Sequence, residues 1–577
     1  MRPKLPALPP PELPDGPVLR PGLRVAVILD AFSSLALRYE WDQVEVTPQL
    51  WRQELSARPP DLLFVESAWN GNDKAWRLAM STARGPSPEL RELVTWCQDN
   101  GIPTVFWNKE DPPNYDRFIE TARLFDHVFT VDAERLAAYR EDLGHDRVGL
   151  LPFGAQPRIH NPVRRGLDAE HDVAFAGSYF TEKHPERREQ MDYLLGAALE
   201  FDLHIYARMA TGDPRYSYPE HFARRIVGTL PYERMLSASH AYKVFLNVNS
   251  VTRSPTMCAR RLFELSAAQT PVVSGPAASI APFFGDDVTV VSDRDGAALA
   301  LKALLRHREL RDRIALRAHR RVFDQHLYRH RVNDVLRTVG LPEYHLDASV
   351  SAVVPTMRPQ QVDHVLDFVA SQAHPDVELV LVTHGFELPE TELRARAADL
   401  GVDSVTVRRA SRDQTLGACM NLGVQAASGR YVAKMDDDNY YAPHYLTDLL
   451  RVFEYTDAAV TGKWAHYAYL TASGASLLRF AEAEHRFVDL VQGGTILTAR
   501  STARDVAFED LPQRVDTTFL AKVRRDGGLV YSADRFNFVS VRNASPDGHT
   551  WPITDQELLA RSSQLVCYGE PREHVTV

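Results

Sequence analysis

From Leu23 onward, short apolar runs alternate with longer segments in which apolar positions recur every three or four residues. The first kind of run predicts buried strands and the second predicts amphipathic helices. Their alternation is the pattern of parallel α/β layers. "LRVAVILD", "PDLLFVES", "IPTVFWNKED" and "HVFTVD" read as strands of a first layer, with "ELRELVTWCQDNG" and "YDRFIETARLFD" as helices. A second set follows in "HDVAFAGSYF", "FDLHIYA", "YKVFLNVN", "TPVVSG" and "DVTVVSD". Two Rossmann-like halves in tandem are predicted, residues 23–165 and 166–338. The second closes on a basic helical stretch, which reads as a packed terminal helix with a solvated charged face rather than a membrane-surface helix.

Turn and linker residues occupy 339–348, and a new α/β unit spans 349–577. Its predicted strands are "SVSAVVPT", "VELVLVTHG", "DSVTVRRA" and "RYVAKMD", followed by "FVDLVQGGTILTAR" and "GLVYSADRFNFVSVRN". Residues 1–22 are rich in proline where a secretory signal needs an apolar run, so they read as a disordered, extended arm.

A chain of 577 residues with 44% hydrophobic content exceeds a single core and agrees with this multidomain reading. Its net charge of -10 carries no general footprint for nucleic acid. Four widely spaced cysteines give neither zinc-ligand spacing nor a disulfide scaffold. No run approaches the roughly 20 apolar residues of a membrane span. The expected place is the cytoplasm, with peripheral contact at the inner face of the plasma membrane left open, as is the oligomeric state.

Candidate chemistry concentrates in "GRYVAKMDDDNYYAPHYL", where three carboxylates follow a predicted buried strand. At the carboxyl edge of a parallel sheet, such crowding suits a hard divalent cation that bridges to phosphate oxygens. A solvated turn capping the next helix accounts for the same residues.

The ordered set "SAVVPTMRP", "NLGVQAASGRYVAKMDDDNYY", "VQGGTILTAR" and "VDTTFLAKVRRDGG" resembles family 2 glycosyltransferases, which have the GT-A fold, over roughly residues 349–545. The resemblance implies that Asp436 and Asp438 bind Mg²⁺ or Mn²⁺ and the donor diphosphate, with Asp437 in the variable middle position. It implies nucleotide contacts from Pro355, Thr356 and Arg358, donor orientation by Asn421, and close backbone approach to sugar or acceptor at Gly493 and Gly494. Asp516 matches the base of an inverting transfer, with Glu509 and Asp510 as rivals. His549 is a candidate late metal ligand, and Trp551 could shape the same pocket.

The earlier part resembles GT-B glycosyltransferases. More narrowly, "WNKEDPPNYDRF", "DVAFAGSYF" and "MCARRLFELSAAQTPVVSG" are similar to the bacterial spore-maturation CgeB-like group. In that pattern Glu264 holds the donor ribose, Arg260 or Arg261 the phosphates, and Asn249, Ser250, Ser254, Gly177 and Ser178 line the donor side. An i,i+4 surface pair accounts equally for Arg260 and Glu264. On the acceptor side the strands end in Asp30, Glu66, Glu110 with Asp111, and Asp132. Asp111 or Glu110 is the expected base and His160 a lesser one. No cofactor is expected for this module, since basic groups and helix dipoles stabilise the leaving diphosphate.

The implied function is a two-module glycosyltransferase. It would use nucleotide-sugar donors (UDP-, GDP-, dTDP- or CMP-linked) and extend a cell-surface or secreted glycan on a lipid-linked, polysaccharide or teichoic-acid-like acceptor, with the second module metal-dependent and inverting. Two alternatives stand beside it. Either only the GT-A module is catalytic and the GT-B part is an acceptor-binding scaffold, or the chain is a non-catalytic glycan-binding protein. Neither donor sugar nor acceptor is legible.

Overall fold

A computed structural model describes residues 4–82, 85–166, 171–209, 213–543, 555–561 and 563–577. The chain divides at Tyr344/His345 into two compact units, with Val163–Arg165 belonging to the second.

The first unit holds two six-stranded parallel sheets. In the first, strands Arg20–Ile28, Trp41–Glu45, Leu62–Glu66, Thr104–Asn108, His127–Thr130 and Val148–Leu150 lie in the spatial order 2-1-3-4-5-6 counted along the chain. Leu62–Glu66 and Thr104–Asn108 are buried at every residue, so they read as continuous apolar runs rather than alternating ones.

The second sheet comprises His171–Gly177, Leu203–Ala207, Ile226–Gly228, Tyr242–Asn247, Val272–Ser274 and Thr289–Val290 in the order 3-2-1-4-5-6, the doubly wound Rossmann order. The winding reverses between His171–Gly177 and Tyr242–Asn247, which pair in parallel. A crevice is expected outside the carboxyl ends of those two strands.

The basic stretch folds as helices Arg294–Arg306, Arg308–Gln325 and Tyr328–Val339. The last packs back on the first half. Tyr328, Val332, Val335 and Leu336 are buried, the Tyr328 N–H donates to the Ala155 carbonyl, and the Arg331 guanidinium donates to the Phe153 carbonyl. The described part of the N-terminal arm has no regular secondary structure before Arg20, but it is held rather than disordered. Leu8 is buried, and the carbonyls of Leu8, Pro14 and Gly16 accept from Arg234, Arg38 and Arg158.

The second unit builds an eight-stranded mixed sheet. Across it run Val405–Ala410, Val377–His384, Val350–Thr356 and Tyr431–Lys434 in parallel, then Leu497–Ala499, Ala458–Gly462, Leu529–Ser532 and Arg486–Phe487. Leu497–Ala499 runs antiparallel to Tyr431–Lys434 and marks the end of the parallel block. A five-stranded sheet adds Tyr440–Tyr441, Phe538–Arg542, His466–Leu470, Ala475–Arg479 and Ser563–Tyr568.

Two segments expected to be single strands are divided. "FVDLVQGGTILTAR" contributes Arg486–Phe487 and Leu497–Ala499, separated by a 3₁₀ turn at Gly493–Thr495. "GLVYSADRFNFVSVRN" turns at Asn537, whose φ of 63° is left-handed, and its two strands join different sheets. No described helix is long and apolar enough to cross a membrane.

Candidate functional sites

In the second unit the site grows from two strand ends. Val350–Thr356 and Tyr431–Lys434 are parallel neighbours, with Val353 opposite Lys434. Both chains leave the sheet at the same edge, which carries Thr356 and Arg358 to the acidic triplet.

The triplet is neither a wet turn nor a helix cap. The helix after it, Tyr445–Tyr455, has His444 at its N-cap and no side-chain cap. Asp437 points inward: it is 4% exposed, accepts from the Thr356 hydroxyl, and is gripped by Arg358, whose Nε lies 3.1 Å from Oδ2 while Nη2 reaches Oδ1. The same Nη2 donates to Asp438 Oδ2 at 2.8 Å. Asp436 turns the other way, its Oδ1 2.7 Å from the Lys434 ammonium. Its backbone N–H donates to Tyr441 Oη, which in turn donates to the Gly494 carbonyl.

Asp516 joins from the first turn of helix Val515–Arg525. The N-cap there is Arg514 in a left-handed conformation, so Asp516 does not cap the helix. Its Oδ1 lies 3.4 Å from Lys434 Nζ and has no hydrogen-bond partner. The two glycines make this convergence possible: a Cβ on Gly493 would sit 2.1 Å from Asp516 Oδ2, and one on Gly494 would sit 2.5 Å from Asp436 Oδ2. What the structure shows for both glycines is a close approach to the carboxylates.

Four carboxylates, Asp436, Asp437, Asp438 and Asp516, therefore share two cations, Lys434 and Arg358, which leaves a surplus of two negative charges. The strain shows in the acids. Burial first and the Asp436 charge second push the Asp438 carboxyl up, against Arg358. Burial likewise pushes Asp516 up, with Asp436 adding and Lys434 opposing, although 28% of its side-chain surface stays open. A divalent cation would cancel the surplus, and Asp436, Asp438 and the orphaned Asp516 oxygen are oxygen donors of the kind Mg²⁺ or Mn²⁺ takes. The residues fit the group.

Other expectations for this unit change. Both amide atoms of Asn421 are used by the Phe508 backbone, Nδ2 donating to its carbonyl at 2.8 Å and Oδ1 accepting from its N–H at 2.9 Å, so Asn421 pins a loop instead of orienting a donor. Of the rival bases, Asp510 accepts from the Thr415 hydroxyl and Glu509 lies 3.8 Å from Lys522. Pro355 is half-buried ahead of Thr356. His549 and Trp551 lie outside the described residues.

In the first unit a cleft of about 890 Å³ opens at the winding reversal. Its walls include Ala176, Gly177 and Ser178 from one strand end and Asn247, Asn249 and Ser250 beyond the other. Helix Arg260–Ala267 brings Glu264, whose Oε1 accepts from Tyr232 Oη at 2.7 Å and lies 3.2 Å from Arg260 Nη1. The Arg260 guanidinium lies over the rings of Phe32 and Tyr232, 3.9 and 4.6 Å from their centroids. This pair is built into the cleft wall and is not a solvated surface bridge.

Arg187 and Arg261 line the same cleft and form no salt bridge among the described residues. Arg187 donates to the Val248 and Ser178 carbonyls and its Nε has no partner. Arg261 donates to the Ala176 carbonyl. Burial pushes both guanidinium groups down to about 10, and Arg208 adds a further cation to the lining. This wall therefore has surplus positive charge. Arg187 and Arg208 are absent from the sequence expectations; the only available cue was arginine shortly after each of the first two strands of a Rossmann half.

The expected acceptor-side bases are not in the cleft. Asp111 is fully buried and accepts from Asn108 Nδ2, Thr130 Oγ1 and Tyr139 Oη, where burial pushes its carboxyl up to about 6. Glu110 accepts from Asn114 Nδ2, and neither residue lines the cleft. His160 lines it but is no base: its Nδ1 accepts from the Gln156 N–H, its Nε2 faces Tyr232 Oη at 2.8 Å, and burial pushes it down to about 4. Ser254 donates to Asp132 Oδ1 and does not line the cleft. The Asn249 amide is held by Gly275 and Asn247. A Cβ on Gly177 would meet the Phe175 ring at 2.9 Å, so this glycine serves packing at the strand end.

Asp73 lines the cleft from the first half, as does one of the expected strand-end acids, Asp30. Its carboxylate accepts from the N–H groups of Asn70 and Gly71 and from Lys109 Nζ at 3.0 Å. Lys109 also bridges to Glu66, which is fully buried and pushed up by that burial.

Two family models match the chain: "Glycosyl transferase-like" over residues 187–337 and "Glycosyl transferase family 2" over residues 351–501. The first match contains Glu264 and the arginine wall, and the second contains the acidic triplet and both glycines but stops short of Asp516. An uncharacterized glycosyltransferase of Nostoc sp. is 28% identical over 97 residues, 17% of this chain and 30% of that protein. Among solved structures, a Pyrobaculum calidifontis mannosyltransferase in complex with GDP-Man and Mn²⁺ is 16% identical with a TM-score of 0.28, covering 38% of this chain and 65% of that one. Staphylococcus aureus TarS 1–349 in complex with UDP-GlcNAc is 17% identical with a TM-score of 0.29, covering 34% and 59%. The chain thus spans less than two thirds of each of these relatives. It carries two glycosyltransferase modules, a glycosyl transferase-like one followed by one of glycosyltransferase family 2.

Proposed function

We propose that the chain transfers sugars from nucleotide-linked donors to a growing cell-surface or secreted glycan, and that the family 2 module does so by metal-dependent, inverting transfer. The observation that carries this reading is the surplus of two negative charges among Asp436, Asp437, Asp438 and Asp516 beside an orphaned carboxylate oxygen. Asp436 and Asp438 would hold Mg²⁺ or Mn²⁺, which when bound supplies positive charge to the leaving diphosphate.

The chain's own residues account for the rest. Asp516 takes the proton from the acceptor hydroxyl as its oxygen bonds to the sugar carbon, while the bond from that carbon to the diphosphate breaks with its electron pair. Desolvation favours this proton transfer by raising the affinity of Asp516 for the proton. Lys434 holds Asp516 and Asp436 in position, and Arg358 balances the charge of Asp437 and Asp438.

For the first module we propose donor binding in the arginine-walled cleft, with Glu264 at the ribose and Arg187, Arg261 and Arg208 at the diphosphate. A second reading, in which this module binds without transferring, is favoured by the position of Asp111 and Glu110 away from the cleft. If it does transfer, Asp30 and Asp73 are the first-half carboxylates that line the cleft.

The test is a nucleotide-sugar panel assayed by mass spectrometry on the full chain, wild type, Glu264→Gln and Asp438→Asn, each with Mn²⁺ and with chelator. Loss of one sugar addition in Asp438→Asn and of another in Glu264→Gln supports two transfers. Loss only in Asp438→Asn supports the binding-only reading. Unchanged transfer in Asp438→Asn overturns the assignment of the acidic site.

A further inference from the structure

At the end of the second Rossmann sheet opposite the cleft, His171, Asp202 and His204 come together. One ligand atom from each lies within 4.8 Å of the other two, and among the described residues no other trio of His, Cys, Asp or Glu converges this way. His171 opens the strand His171–Gly177, and Asp202 and His204 flank the start of its parallel neighbour Leu203–Ala207. We propose that these three side chains form a divalent transition-metal site, suited to Zn²⁺, that staples the amino ends of two adjacent strands.

The donor atoms already face one another. His171 Nδ1 is 2.9 Å from Asp202 Oδ2, and His204 Nε2 is 3.3 Å from Asp202 Oδ1. Two imidazoles and a carboxylate with a fourth position open to water are a recognised zinc set. Ligating histidines are characteristically steered by a hydrogen bond at the other ring nitrogen. His204 has this: its Nδ1 meets Tyr242 Oη at 2.8 Å, and Tyr242 Oη meets Tyr206 Oη at 2.7 Å. No lysine or arginine competes for Asp202 among the described residues, because the nearby Lys243 ammonium is paired with Asp172 at 2.8 Å.

Without metal, His171 Nδ1 hydrogen-bonds to Asp202 Oδ2 and His204 Nε2 stands 3.3 Å from Asp202 Oδ1. Binding would need His171 Nδ1 and His204 Nε2 free of protons, with the His204 proton on Nδ1 facing Tyr242 Oη.

The strand from His171 to Gly177 has seven residues; at about 3.3 Å per residue the site lies roughly 20 Å from the donor cleft. It is therefore distinct from the donor cleft, and its role is to fix the strand whose far end, Ala176 and Gly177, lines that cleft.

The experiment uses the full chain, stripped of metal and held in excess Mg²⁺ so that the acidic site of the other unit is occupied. Zn²⁺ is expected to bind by calorimetry with one equivalent and to raise the thermal midpoint of the first unit by about 3–5 °C, and Co²⁺ should give the visible absorption of a low-coordinate nitrogen–oxygen site. His171→Gln and Asp202→Asn, both at partly exposed positions, should fold and lose the Zn²⁺ response. Asp438→Asn should keep it. No Zn²⁺ binding by wild type, or a response that survives both His171→Gln and Asp202→Asn, overturns the proposal. Should either variant fold poorly, Zn²⁺ protection of the wild-type histidines from diethyl pyrocarbonate, read by peptide mapping at His171 and His204, decides the same question.

Discussion

The two units solve opposite charge problems at the carboxyl edges of their sheets. In the second, four acids share two bases and the site carries surplus negative charge. In the first, Arg187, Arg261 and Arg208 line a cleft in which two of the acids, Glu264 and Asp30, are already engaged by Arg260, Tyr232 and Lys109. One site lacks a cation and the other an anion; on the function proposed above, a nucleotide diphosphate would reach the first directly and the second only together with metal. The lesson is that strand-end carboxylates by themselves do not mark a metal site. What distinguishes the two edges is how many cations the surrounding chain supplies.

The largest effect that could break this contrast concerns the proposed base. Asp516→Asn should lower transfer by the family 2 module about 10²–10⁴-fold in kcat with little change in KM for donor, and chelation should silence the same module. Nucleotide binding by the first unit, followed by calorimetry, should survive both treatments. Equal loss in both units would end the idea of opposite charge logic.

Next is Asp111, which the structure makes a folding residue. Its folded carboxyl, pushed up to about 6, lies above the ordinary aspartate value, so the folded state keeps the proton longer. Stability contributed by this group is thus present at low pH and is lost as pH rises through about 4 to 6, up to about 3 kcal/mol. The difference in urea stability between wild type and Asp111→Asn should follow that window, while transfer activity at neutral pH should not change.

A smaller effect is expected at Arg358. Truncation to alanine leaves the buried Asp437 without its cation and should cost about 2 kcal/mol of second-unit stability, discounted because Arg358 is 31% exposed. Denaturant melts would detect it, and added Mn²⁺ should restore part of the loss. The mildest is Arg261→Ala, which should weaken nucleotide diphosphate binding by the first unit about tenfold and leave the second unit's binding intact.

Much of the fold was visible in the sequence because buried parallel strands such as "PDLLFVES" and "VELVLVTHG" are continuous apolar runs. The missed strands were short or one-sided, as at Val148–Leu150 and Ile226–Gly228. The acidic triplet stood out beside its strand, and Asp516 was singled out only through the resemblance to family 2 glycosyltransferases. Lys434 was not singled out, although a lysine closing an apolar strand beside three acids is a signal of a buried counter-ion. The contacts of Asn421, Ser254 and Asp111 were hidden for a different reason. Their partners Phe508, Asp132 and Thr130 lie 87, 122 and 19 residues away, and polar side chains in loops look the same whether they face a ligand or the protein's own backbone.

The inward turn of Asp437 also bears on the order of events. Arg358 is committed to Asp437 and Asp438 before any substrate arrives, so a pyrophosphate entering first meets a guanidinium whose charge is already spent. A cation arriving first takes up Asp438 and frees one arm of that fork. On the metal-dependent reading proposed above, metal should bind ahead of donor, and donor Kd measured by calorimetry should fall as Mn²⁺ saturates.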